Sequence, residues 1–201
     1  MPDQKITNLE ATPSPESKTT AKKHFFRASA ADFKKIPGSP IAYWISENER
    51  SSYLKGELLE QVCFPKKGID TGENDFFLRL WFEIEKEKFS VFGTLHFWFP
   101  YNKGGGFRRW YGNREFLVFW ANDGEEIKKR LNNKSKKPTI RNAKFHFQEG
   151  LTWTTVSSGG FSARFCPAGA LFDNGGCTIF ADKDIMKIAS FVNSKVMARY
   201  L

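Results

Sequence analysis

The residues best suited to chemistry cluster between Tyr101 and Lys144. Three glycines, Gly104 to Gly106, lead directly into Phe107-Arg108-Arg109-Trp110-Tyr111, and the same stretch holds Lys103, Arg114, Lys128, Lys129, Arg130, Lys134, Lys136, Lys137, Arg141 and Lys144. Twelve bases face four acids there (Glu115, Asp123, Glu125 and Glu126), and that surplus of eight is nearly all of the chain's formal +9. Cations interleaved with aromatic rings suit a polyanion, because Lys and Arg displace counterions from phosphates while planar rings and guanidinium forks reach bases. A nucleic acid is the partner this pattern implies. A solvated charged face or an acidic protein partner is the competing reading. A membrane surface is disfavoured, because the helix expected over Asp123 to Asn133 lacks a strong apolar face.

Other constellations imply no catalytic set. The glycines at 104–106 match neither G-x-G-x-x-G nor G-x-x-x-x-G-K-[ST], so they read as a tight turn beside a binding surface rather than a nucleotide cradle. Gly159-Gly160 and Gly175-Gly176 read as hairpin turns. His24, His96 and His146 are far apart, and the last two sit in aromatic runs, as core or sheet histidines do; no metal is implied. Cys63, Cys166 and Cys177 are odd in number and never form Cys-x-x-Cys, which points away from a disulfide scaffold or zinc knuckle and toward a reducing cytoplasm. No G-x-S-x-G is present. Glu83, Glu85 and Glu87 alternate as solvated positions on one face of a strand would.

These groups need a scaffold, and the composition supplies one. With 201 residues, 40% of them hydrophobic, and 21 Phe, 6 Trp and 5 Tyr, the chain can bury a core. Residues 1–23 are rich in Ser, Thr and Pro with few large apolar side chains, and are expected to form a disordered leader without signal-peptide character, ahead of a folded domain over residues 24–201. A helix is expected over Asn48 to Val62, although Gly56 weakens it. Strands are expected over Phe76 to Ile84, Phe89 to Phe99 and Glu115 to Trp120. Asn122 and Asp123 are expected to cap a helix running into KKRLNNK, with a basic loop behind it. Short apolar runs separated by Gly, Pro and Asn follow from Phe145, and Asp184 to Leu201 has helical spacing. The fold class is α+β: a strand-rich domain with a few flanking helices, and no segment of membrane-spanning character.

Six ordered blocks carry a family resemblance: FKKIPGSPIAYWIS (Phe33 to Ser46), KKGIDTGENDFFLRLWFEI (Lys66 to Ile84), FPYNKGGGFRRWYGN (Phe99 to Asn113), WANDGEEIK (Trp120 to Lys128), EGLTWTTVSSGGFSARFCPAGALFDNGG (Glu149 to Gly176) and FVNSK (Phe191 to Lys195). Over Phe25 to Leu201 the chain resembles the C-terminal target-recognition half of PglX-type adenine-specific DNA methyltransferases of BREX phage-defence systems. More loosely, it resembles the specificity domains of Type II restriction-modification methylases. The resemblance implies double-stranded DNA as partner, together with a methyltransferase catalytic half or other defence-system subunits. It implies S-adenosylmethionine as cofactor of the full-length family, not one bound by this chain. The family's catalytic half uses an [DN]-P-P-[YFW] loop for the flipped base; this sequence has no Pro-Pro, and FPYN at Phe99 to Asn102 is no substitute. The family's recognition region extends beyond the FVNSK helix, so truncation at the C-terminus is expected. The alternative is a remnant or regulator that docks on defence-complex subunits without reading DNA.

Carried onto these positions, the resemblance makes Lys66, Lys67, Gly68, Thr71, Gly72 and Asn74 a loop contacting the DNA backbone, the glycines allowing close approach. Lys103, Arg108, Arg109, Trp110 and Arg114 are expected to contact DNA beside the glycine loop, with Trp110 and Tyr111 core residues in the competing reading. Lys136, Lys137 and Arg141 extend the cationic surface. Trp153, Ser157, Ser158, Phe161, Ser162 and Arg164 are expected to reach base edges or phosphate through hydroxyls and a guanidinium. Asn193, Ser194 and Lys195 are read as structural. No residue is assigned a catalytic or metal-binding role.

Overall fold

The computed structural model describes residues 27–85, 88, 97–130 and 139–200. The expected leader, His24, Glu87, His96, Lys136 and Lys137 lie outside them. The chain divides into two compact units, residues 1–58 and 59–201.

In the first unit, helices α1 (Ala30–Phe33) and α2 (Glu47–Lys55) both open with reciprocal capping boxes. At α2 the Glu49 amide donates to Ser46 Oγ (3.3 Å) while the Ser46 amide donates to Glu49 Oε2 (2.8 Å), pairing two amides that a helix start otherwise leaves open. The expected helix over Asn48 to Val62 is broken. Gly56 takes an extended conformation (φ −90°, ψ 159°), and a separate short helix, α3 (Leu59–Val62), opens the second unit.

The second unit is α+β. Its strands are β1 (Phe64–Lys66), β2 (Leu78–Leu80), β3 (Trp98–Asn102), β4 (Phe116–Phe119), β5 (Gly150–Trp153), β6 (Ala163–Cys166), β7 (Leu171–Phe172) and β8 (Thr178–Phe180). They form two four-stranded sheets, in the orders β1-β8-β5-β6 and β2-β4-β3-β7. All neighbours are antiparallel except β3 and β7. The remaining helices are α4 (Asn74–Phe77), α5 (Ala121–Arg130), α6 (Ile185–Val192) and α7 (Met197–Tyr200).

In the first sheet, Leu151, Ala163 and Ile179 form a buried cluster with Ile188, Ala189 and Val192 of α6. In the second, Leu78, Tyr101, Val118 and Leu171 pack with Phe77 of α4 and Ile127 of α5. The sheets meet where Phe172 lies edge-on to Phe180 (5.3 Å between centroids) and Asn102 Nδ2 donates to Cys166 Sγ (2.9 Å). Burial pushes the Cys166 thiol up, against the lowering effect of that amide.

Several elements differ from expectation. Phe76 to Ile84 is no single strand: α4 runs into β2 and then a 3-10 turn at Trp81–Glu83, where the Leu80 amide donates to Glu83 Oε2 (2.6 Å). Glu83 is therefore a local cap rather than one of a row of strand carboxylates. Asn122 and Asp123 do not cap α5. With Gly124 they pass through the left-handed region (φ 49°, 57° and 70°), and a Cβ on Gly124 would lie 2.6 Å from the Trp120 ring. Gly175-Gly176 is no hairpin; it lies in the crossover from β7 in one sheet to β8 in the other.

Candidate nucleic-acid interface

Strand directions gather the loops. In the first sheet β1 and β5 end where β6 and β8 begin; in the second, β2, β3 and β7 end where β4 begins. Segments 67–72, 103–115, 154–162 and 173–177 consequently emerge at one end of the unit. Backbone contacts bind them together: the Gly68 amide donates to Asp173 O (3.3 Å), the Ile69 amide to Phe172 O (2.7 Å), and the Thr155 amide to Gly175 O (2.9 Å). A Cβ on Gly104 (φ +89°) would lie 2.9 Å from Gly175 O. The glycine loop thus achieves its close approach against this chain's own backbone.

The 107–114 segment is an annex to the β6 edge. The Trp110 amide donates to Ala163 O (3.1 Å), and its carbonyl accepts from the Phe165 amide (2.8 Å). These two bonds hold Trp110 at φ 73°, a conformation that costs a residue with a Cβ about 1–2 kcal/mol. The indole remains 54% exposed and Tyr111 58%, so neither ring is core. Arg109 stands over the Phe107 ring (5.3 Å), and Arg114 Nη1 donates to the Tyr111 hydroxyl (2.8 Å).

The basic quarter of the chain splits in two. On α5 the cations are spent on carboxylates: Lys128 on Asp123 (2.6 Å), Lys129 on Glu125 (2.8 Å), and Arg130 on Glu73 (2.6 Å) and Glu126 (3.2 Å). Lys129 and Glu125 are exposed, and their hydrogen bond lowers the Glu125 carboxyl while raising the Lys129 ammonium. At the loop end, Arg108, Arg109 and Arg114 form no ion pair among the described residues. Lys67 is exposed, and Lys66 is half-buried over the Phe145 ring (5.5 Å). Lys103 is weakly engaged by Asp173 (3.8 Å). Arg141 donates to Asn174 Oδ1 (2.9 Å), and Asn142 Nδ2 to Lys67 O (2.9 Å), which ties the 139–142 segment to the same end. Ser157 and Ser158 are exposed in the β5–β6 connection.

Three expected contact residues turn inward. Gly68 is buried because its α-carbon presses on β7: an added Cβ would sit 1.8 Å from Phe172 O. Thr71 is 1% exposed, its hydroxyl donating to Asn74 Oδ1 (2.8 Å). Gly72 is half-buried, its amide donating to Asp70 Oδ1 (3.0 Å), so Asn74, which is exposed, is the outward member of this turn. Arg164 has no exposed surface at all. It lies in a cross-strand row with Thr152 and Thr178, and the burial lowers its pKa. Its Nη2 donates to Thr154 Oγ1 (3.3 Å), which in turn donates to Gly105 O (2.8 Å), so Arg164 underlies the glycine loop, while its Nε and Nη1 are buried with no hydrogen-bond partner among the described residues.

Trp81 and Phe82 were unforeseen at this end. They are 55% and 64% exposed and T-shaped to one another (5.7 Å), and the Trp81 amide donates to Glu115 O (2.9 Å). The strand pattern hid them by placing them in a sheet core. His146 is a core histidine as expected, 9% exposed with Trp120, Phe147 and Phe172 edge-on around it. No metal-binding cluster occurs among the described residues, and no helix among them is long and apolar enough to cross a membrane.

No family model matches the chain. It is 39% identical over 193 residues to the adenine-specific methyltransferase PglX of Lacticaseibacillus casei (strain Zhang), a match covering 89% of this chain and 16% of that protein. It is 44% identical over 170 residues to the adenine-specific methyltransferase BrxX of Escherichia coli O9:H4 (strain HS), covering 82% of this chain and 13% of that protein. The chain thus spans roughly an eighth to a sixth of the length of the curated relatives it matches, and is homologous to a small region of each.

Proposed function

We propose that this chain, a homologue of a small region of the adenine-specific methyltransferases PglX and BrxX, is a DNA-contacting target-recognition part of a site-specific adenine-N6 methyltransferase in a BREX-type phage-defence system. The observation that carries the reading is the loop end of the second unit, where Arg108, Arg109 and Arg114 have no carboxylate partner among the described residues and stand beside exposed Trp110 and Tyr111. Guanidinium groups left unpaired are available to phosphates, and their counterion release supplies affinity. Lys67, Lys103, Arg141, Ser157 and Ser158 lie on the neighbouring loops, and Asn74 opens α4 after the 67–72 segment.

The residues here do not fit S-adenosylmethionine. The glycine loop is closed by its own chain, with Gly104 against Gly175 and Gly105 against the Asn113 amide. Among the described residues the cavity beside it is lined by hydroxyls, glycines, rings and Ala198, with no carboxylate for ribose hydroxyls. Methyl transfer is accordingly assigned to polypeptide other than this chain. The test is fluorescence anisotropy with a labelled duplex at low salt: binding that weakens steeply with added salt supports the reading, and no binding at 50 mM salt refutes it.

The exposed Trp81–Phe82 pair favours a second reading, docking on another subunit. Recovery of the same protein partners from nuclease-treated and untreated lysate supports docking; their loss on nuclease treatment supports DNA.

A further inference from the structure

Beside the unpaired arginines lies a half-open cavity of about 400 Å³, between Gly106 of the glycine loop and the β5–β6 connection. That volume is within the range of small-molecule sites, about 300–1,000 Å³. One wall is aromatic: Trp153 and Phe161 are half-buried, tilted by 39° with centroids 6.4 Å apart. The polar groups are hydroxyls. Those of Thr154 and Thr155 are committed to the carbonyls of Gly105 and Asn174. Ser157 Oγ accepts from the Gly159 amide (3.1 Å), which leaves its O–H free to donate. Ser162 is only 6% exposed, and its hydroxyl makes no hydrogen bond among the described residues.

Among the described residues no charged side chain lines this cavity; the nearest, Arg164, is buried beneath Thr154 of its wall (3.3 Å). The charges stand at the rim instead. Arg109 lies over Phe107, and Phe107 Cδ2 is 3.4 Å from where a Cβ on Gly159 would be. The division of labour suits a ligand with a neutral, planar, hydrogen-bonding head attached to an anionic thread. We propose that this cavity holds one nucleobase that has left the stack, with its flanking phosphates on the 107–114 loop. The assignment rests on the DNA-contacting reading above and adds a site to it.

The experiment compares two labelled duplexes of equal length, one fully paired and one carrying a single unpaired 2-aminopurine. A stacked and enclosed base contributes about 1–3 kcal/mol, so the unpaired duplex should bind on the order of tenfold more tightly, with a change in 2-aminopurine emission on binding. Two variants probe the cavity. Gly160→Leu fills it from a position where an added Cβ meets nothing within 4 Å, and Ser162→Val removes the unused hydroxyl. Both should abolish the preference, and Gly160→Leu should do so while leaving affinity for the paired duplex and its salt dependence unchanged. Equal binding of the two duplexes, or a preference that survives Gly160→Leu, overturns the cavity assignment alone. Binding of neither duplex overturns it together with the DNA-contacting reading.

Discussion

Replacing Arg108 and Arg109 together by Ala tests whether charge at the loop end is used, and the outcome can be worked out in advance. Each phosphate neutralised by a cation contributes about −0.9 to the slope of log affinity against log salt. The three unpaired guanidiniums of Arg108, Arg109 and Arg114 should therefore contribute about −2.7, and removing two should flatten the slope by about 1.8. Over the fourfold change from 50 to 200 mM salt, the affinity gap between native and variant protein should then shrink about twelvefold. The control is Lys128→Ala with Lys129→Ala, which removes the same formal charge from side chains already spent on Asp123 (2.6 Å) and Glu125 (2.8 Å). That pair should alter the slope little. The assay is anisotropy at 50, 100 and 200 mM salt with one duplex. Equal slope changes for the two pairs would refute the reasoning, since net charge and not the freedom of the loop arginines would then govern binding.

Two stability predictions follow from the packing around this end. Gly68→Ala puts a methyl group 1.8 Å from Phe172 O and must displace the backbone bonds to Asp173 and Phe172; losing two such bonds and straining the contact should cost on the order of 3 kcal/mol, lowering Tm by about 6–12 °C in a thermal melt. An unchanged Tm would show that the close approach is not required. His146 is held below its ordinary pKa by burial, so the folded state favours the neutral ring while the unfolded chain takes up a proton near pH 6.5. Stability from this site should be complete above that pH and decline as pH falls below it. Urea midpoints at pH 7.5 and pH 5 should differ less in His146→Gln than in the native protein, and an equal difference would contradict the assignment.

Charge and ring content belong to the chain before it folds, because they are sums over residue types. The cationic surplus between Tyr101 and Lys144, the α+β class and the core character of His146 were legible for that reason, as was the likeness to a DNA methyltransferase region. Local competition was less legible. Phe76 to Ile84 has strand composition, yet Glu83 caps the Leu80 amide and Arg79 Nη1 grips the carbonyls of Asp75 and Leu78, giving helix, strand and 3-10 turn in succession. Those bonds end the strand and leave Trp81 and Phe82 in solvent.

Tertiary structure alone decided which of the basic residues are free. Lys128 and Arg108 carry the same charge, but α5 places carboxylates a turn away from its own cations, whereas the 107–114 segment, pinned to β6 through Trp110, passes no acid among the described residues that its arginines pair with. Arg164 was indistinguishable in sequence from a surface arginine; its strand register with Thr152 and Thr178 buries it. Gly68 looked like a glycine for a ligand, and the backbone it approaches is that of β7. Availability of a charge, or of space beside a glycine, depends on which neighbours the fold supplies, from 5 residues away for Lys128 and Asp123 to 104 for Gly68 and Phe172, and strand register and sheet order specify which those are.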